Sequence, residues 1–290
     1  METIQQLAAT LPWLYLLLLT ILGLLIGSFL NVVIHRLPIM LERSWQAEYA
    51  DYFGNTEPGS PAEPYNLMVP RSACPHCGHA ITALENIPII SWLWLRGRCR
   101  SCQAPISARY PLVELLTGLA SLTIAWFFPV SAATFAALLL TWFLIAMTFI
   151  DLDKMLLPDQ LTLPLLWLGL LLNIGGMFTS LSDAVIGAAA GYLILWSVYW
   201  GFKLLTGKEG MGYGDFKLLA AFGAWFGWQY LPLILIISSL VGAVFGITMI
   251  ALRRHQQANP MPFGPYLCMA GWIALLWGKN ILAWYWSLML

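Results

Sequence analysis

Long apolar runs constrain this chain more than any other feature. Residues 11–34 carry no charged side chain, and about 20 such residues suffice for a helix to cross a bilayer. Further runs occupy residues 112–129 (with Glu114 as the one charge), 131–150, 161–180, 184–202, 218–229, 231–252 and 262–278. The sixth of these eight is short, and the last stays apolar past Lys279 to the end. Only 10% of the 290 residues are charged and 60% are hydrophobic, whereas about 25% are charged in an average soluble protein. A soluble domain could not hide that much apolar surface. The same numbers exclude disordered, collagen-like and disulfide-scaffold chains. The expectation is an all-α polytopic membrane protein with about eight transmembrane helices. Fourteen basic residues balance fourteen acidic ones, so no nucleic-acid partner is expected.

The placement of Lys and Arg predicts the orientation. Before Arg36 the only charge is Glu2. A cleavable signal peptide needs a basic start, so the first span is expected to be retained. With eight spans and an external N-terminus, the inside segments are 35–110, 151–160, 203–217 and 253–261. They hold seven, one, three and two basic residues, thirteen of the fourteen. Lys279 is left near an outer end, where a lysine can snorkel. The expected organisation is a first transmembrane helix over 1–35, a cytoplasmic loop domain over 36–110 and a helical bundle over 111–290. Glycine pairs at i, i+4 (Gly187 and Gly191, Gly223 and Gly227, Gly242 and Gly246) predict close helix packing. Gly23, Gly27, Asn31 and His35, with Ser28 beside them, form a polar stripe on the first span. That stripe is either packing or one wall of a site.

The loop domain carries Cys74-x-x-Cys77, 21 intervening residues, and Cys99-x-x-Cys102. Two such knuckles suit tetrahedral zinc, although the gap slightly exceeds the usual spacing. A reducing compartment argues against disulfides. Four thiolates leave no open position for a catalytic water, so a zinc ion here is structural, and His76 and His79 fall outside the ligand set. Residues 42–70 show no period and read as irregular. Residues 87–95 are apolar and either lie on the membrane face or dock against the bundle. Cys268 is alone in the last span and reads as core.

Two carboxylate clusters fall at inner span ends: Asp151, Asp153 and Asp159 after the third span, and Glu209 and Asp215 between the fifth and sixth. Acidic groups at a membrane edge are costly and tend to be functional. Gly212 and Gly214 permit a tight turn before Asp215, which places it in a helix's first turn, whereas Asp151 ends a helix. The dipoles then press on the two carboxylates in opposite senses, as suits general acid–base hydrolysis. Asp151 and Asp153 lie about 200° apart on one helix, so only one of them can face Asp215, and spacing does not choose.

Together, residues 27–36 (Gly-Ser-Phe-Leu-Asn-Val-Val-Ile-His-Arg), the four cysteines, Arg109-Tyr-Pro-Leu-Val-Glu114, Asp151 seven positions before the proline of Leu157-Pro158-Asp159, and Gly212-Tyr-Gly-Asp215 resemble the type IV prepilin peptidase family over nearly the whole chain. The resemblance implies a bifunctional enzyme of the bacterial inner membrane with a periplasmic N-terminus and a cytoplasmic-side site. Such an enzyme cleaves the basic leader from type IV prepilins and type II secretion pseudopilins after a glycine. It then N-methylates the new terminal residue, often Phe, with S-adenosylmethionine. By the same resemblance Asp151 and Asp215 are the catalytic aspartates, and zinc on Cys74, Cys77, Cys99 and Cys102 bears on methylation more than on cleavage. No glycine-rich nucleotide turn appears in 36–110. Gly97, Arg109, Glu114, Asn31 and His35 are polar candidates for methyl transfer, and no motif selects among them. Three other readings account for fewer of these features. An ion-coupled transporter would carry its carboxylates mid-span, a non-enzymatic scaffold leaves both aspartates unexplained, and a presenilin-like protease lacks the cysteine module.

Overall fold

The computed structural model describes residues 2–53, 64–252 and 261–289. The chain divides into two compact units, Met1–Ser131 and Ala132–Leu290. In the first, α1 (Glu2–Thr10) leads into α2 (Pro12–Tyr52); α3 (Ile90–Trp94) and α4 (Arg109–Phe127) follow. The second holds α5 (Ala132–Lys154), α6 (Asp159–Ile174), α7 (Leu181–Thr206), α8 (Tyr213–Phe226), α9 (Leu231–Ala251) and α10 (Gly264–Met289). Extended structure among the described residues is limited to two isolated bridges.

Each of the eight apolar runs coincides with one of the helices α2 and α4–α10. Six of these (α2, α4, α5, α7, α9 and α10) are long and apolar enough to cross a membrane. The other two, α6 and α8, have 16 and 14 residues, about 24 and 21 Å at the usual helical rise. The shortness of α8 has a physical reason. Every residue from Asp215 to Phe226 except Lys217 is buried, and α6, α7 and α10 pack around it. A helix enclosed on all sides is apolar all round and need not match the bilayer.

The first span does not stop where its apolar run stops. α2 continues as helix to Tyr52, through residues 42–52, which sequence alone marks as irregular. These residues are mostly good helix formers without Gly or Pro. Their base is anchored: Arg36 is buried and its Nη1 donates to the Asn66 carbonyl at 2.9 Å, and the Arg43 guanidinium lies 4.2 Å from the Tyr65 ring centroid. Arg253 and Arg254, used in the orientation argument, lie outside the described residues.

Small residues set the helix crossings, with Gly187 and Gly191 packing as expected and Gly227 departing from the pattern. Gly187 and Gly191 of α7 lie against the backbone of α8 at Gly223 and Leu219. A Cβ on Gly191 would sit 2.6 Å from the Leu219 carbonyl oxygen. Gly223 packs on the Gly187 backbone, but Gly227 instead ends α8 with φ 87°, a conformation that favours glycine. The end of α8 is tied down by Asn173, whose Nδ2 donates to the carbonyls of Ala224 and Trp225 at 2.8 and 3.0 Å. Its Oδ1 accepts from Phe178 and Thr179, and the Trp225 indole donates to the Leu165 carbonyl of α6 at 2.8 Å.

Gly223→Ala is expected to lower stability by about 1–3 kcal/mol through overpacking against the Gly187 backbone. Gly201→Ala, where nothing lies within 4 Å, is expected to change it by less than about 0.5 kcal/mol. Thermal unfolding of the purified variants in detergent measures both.

Candidate active site and metal centre

Asp151 occupies the last turn of α5 and is buried, whereas Asp153, two residues on, is exposed. The helical rotation between them separates the two side chains. α5 cannot continue: Met155 takes φ 50°, and Pro158 removes a backbone donor and opens α6. Asp215 is the third residue of α8 and is 6% exposed. The Gly212 N–H donates to its carboxylate, and it senses the charge of Asp151. Its Oδ1 is the one buried side-chain N or O atom without a hydrogen-bond partner among the described residues. Such an atom is costly inside a protein and calls for an explanation.

The segment between α5 and α6 holds both carboxylates in place. Leu157 is buried, and its side chain meets the backbone on both sides. A Cβ on Gly214 would lie 2.6 Å from Leu157 Cβ, and one on Gly264 would lie 3.1 Å from Leu157 Cδ1. Two residues on, Asp159 receives Lys217 Nζ at 2.6 and 2.7 Å, which links the first turn of α6 to the second turn of α8. Gly264, the first residue of α10, turns its N–H to the Asp151 carboxylate. Asp151 therefore meets the start of a second helix as well as the end of its own. Sequence reasoning overlooked Gly264, although Pro262-Phe-Gly-Pro265 at the start of the last span carries a helix-start signal.

In the first unit the four cysteines converge. Their sulfur atoms all lie within 4.8 Å of one another, with 3.8 Å between Cys74 and Cys102 and 4.0 Å between Cys77 and Cys99. A zinc–sulfur distance of about 2.3 Å gives a tetrahedral edge of about 3.8 Å, so the set has the size of a zinc site. The two knuckles are built alike. Gly78 donates to the Cys74 carbonyl and Gln103 to that of Cys99, both with φ of 60–71°. The Cys74 and Cys99 N–H groups reach the carbonyls of His79 and Ala104. His79 lies outside the sulfur cluster and pairs with Glu85 at 3.3 Å. Hydrogen bonds from Thr82, with His79 beside them, hold the Glu85 carboxyl down at about 2. Of the apolar segment 87–95, Ile87, Ile90, Leu93 and Trp94 are exposed.

The polar stripe of α2 is largely accounted for by packing. Gly23 and Gly27 lie against Ser121, Thr117 and Glu114 of α4, Asn31 donates to the Tyr110 carbonyl at 3.1 Å, and His35 is exposed. Glu114 is buried and accepts the Ile89 N–H at 2.8 Å. Gly97, with φ 67°, closes on the Trp92 ring. Arg109 begins α4. Cys268 is buried core, as expected.

The description "Bacterial Peptidase A24 N-terminal domain" matches residues 21–128, and "Type IV leader peptidase family" matches residues 138–247. A protein of Aeromonas hydrophila named prepilin leader peptidase/N-methyltransferase is 70% identical over 285 residues, 98% of each chain. Proteins of the same name from Pseudomonas aeruginosa and Burkholderia pseudomallei are 59% identical over 270 residues and 54% over 261. The first of these alignments covers 93% of each chain; the second covers 89% of this chain and 84% of the other. No solved structure matches. With both descriptions falling in order along one chain and relatives aligned nearly end to end, the chain belongs to the type IV leader peptidase family.

Proposed function

We propose that this protein is a membrane aspartyl endopeptidase that removes the leader of type IV prepilins and type II secretion pseudopilins, then methylates the new N-terminus. The observation that carries the peptidase reading is the pair of buried, mutually interacting carboxylates Asp151 and Asp215, one with an oxygen left unpartnered. One carboxylate takes the proton of the attacking water while the other, protonated, hydrogen-bonds the scissile carbonyl. Because they interact, they titrate as a unit. Both lie at helix ends, the depth at which a substrate with a basic leader and an apolar helix presents the bond between them. The distribution of Lys and Arg supports a cytoplasmic-side site and a periplasmic N-terminus in the bacterial inner membrane.

The methyltransferase half rests on the relatives' names. S-Adenosylmethionine supplies an electrophilic methyl group, and the acceptor is the amine freed by cleavage, often that of Phe. Zinc on Cys74, Cys77, Cys99 and Cys102 would close the loop between residues 74 and 102 as a structural ion, since four thiolates complete its coordination.

Incubation of a purified prepilin with this protein is expected to yield, by mass spectrometry, the leader-free product alone, and that product plus one methyl when S-adenosylmethionine is added. An uncut prepilin contradicts the peptidase reading, and an unchanged product mass contradicts the second activity. Elemental analysis is expected to find about one zinc per chain, lost in Cys99→Ser, with leader cleavage retained and methylation impaired; absence of zinc from the wild-type protein overturns the metal assignment.

A further inference from the structure

Asp151 carries a contact that the two-carboxylate scheme does not use. It comes from the start of α10, a helix outside the loops that bear the aspartates. Gly264 presents its backbone N–H to the Asp151 carboxylate. As the first residue of α10, it has one of the N–H groups that no carbonyl of the helix can satisfy. The approach is close enough to define the residue type. A Cβ at position 264 would lie 2.5 Å from Asp151 Oδ2 and 3.2 Å from Asp151 Cγ. Backbone freedom is not the reason for this glycine, since Gly264 is absent from the positive-φ residues. The space itself is occupied by the carboxylate. Leu157 Cδ1, 3.1 Å from the same point, blocks movement on that side.

We infer that Gly264 is a positioning residue for leader cleavage: its N–H and its missing side chain together seat the Asp151 carboxylate facing Asp215. This rests on the proposal that Asp151 is catalytic. The arrangement gives the two carboxylates unequal surroundings. Asp151 has a donor from a second helix and Asp215 one from the turn that precedes its own, but Asp215 keeps one oxygen without a partner. The donor from α10 ties Asp151 to a helix other than its own, so its carboxylate stays where it is when a substrate enters. The one with a vacant oxygen is the one free to engage the scissile carbonyl or the water. The titratable groups that sense the Asp151 charge are Asp215 of α8 and Cys268 of α10.

The test compares Gly264→Ala with Gly271→Ala, a glycine on the same helix whose Cβ would meet the Phe222 ring, and with Asp151→Asn. Gly264→Ala is expected to lower kcat for leader cleavage on the order of 10- to 100-fold, as displacement of a catalytic group by about 1 Å does. KM should stay near wild type, and the pH–rate profile should move. Gly271→Ala is expected to lower the melting temperature and leave the pH–rate profile in place. In wild-type protein labelled with 15N-glycine, the Gly264 amide signal is expected to titrate with the same midpoint as one limb of the cleavage profile and to stop titrating in Asp151→Asn. This measurement does not require the alanine variant to fold. Unchanged kcat and pH profile in Gly264→Ala, or an amide signal indifferent to Asp151, overturns the inference. Retained cleavage by Asp151→Asn instead overturns the underlying assignment of the aspartate.

Discussion

The enclosure of α8 is the constraint on which the pairing of Asp151 and Asp215 depends. This 14-residue helix is too short to present a full apolar surface to lipid, yet it is the most buried element of the second unit. Trp225, Phe216 and Phe222 are completely shielded. Burial on that scale lets a carboxylate sit at the helix start without meeting hydrocarbon. It also fixes that start in space. Asn173 and the Trp225 indole hold the far end, and Lys217 with Asp159 holds the near end. Asp215 is placed by the whole helix rather than by its own loop.

A second carboxylate against the first would be unfavourable in any buried setting. The chain meets this cost locally, by surrounding the pair with glycine. Gly212 donates to Asp215, Gly264 donates to Asp151, and Leu157 fills the space bounded by Gly214 and Gly264. The Leu-Pro-Asp segment thus has three tasks in three residues. Leu157 packs between the glycines, Pro158 separates α5 from α6, and Asp159 pairs with Lys217. A larger side chain at Gly214 or Gly264 would displace Leu157 or a carboxylate before it altered anything else.

Much of this was legible in the sequence because it depends on patterns that one residue type alone can satisfy. Uncharged runs located the eight helices, the knuckle spacing located the cysteine cluster, and helical rotation showed that only one of Asp151 and Asp153 can face Asp215, with the family resemblance choosing Asp151. What escaped was what depends on tertiary contact. The extension of α2 to Tyr52 is held by Arg36 and Arg43 against residues 65–66, a contact that local composition does not encode. Gly227 sits at the right spacing for helix packing but serves as a cap, because the helix happens to end there. Gly264 looks like any glycine before a helix until the carboxylate beside it is known.

The central claim is that Asp151 and Asp215 form one catalytic unit. Leader-cleavage rates of Asp151→Asn, Asp215→Asn and the double variant test it most directly. Groups that act together lose their function together, so each single variant should lose as much activity as the double, within about threefold. Cleavage retained by either single variant, or losses that multiply in the double, would contradict the account.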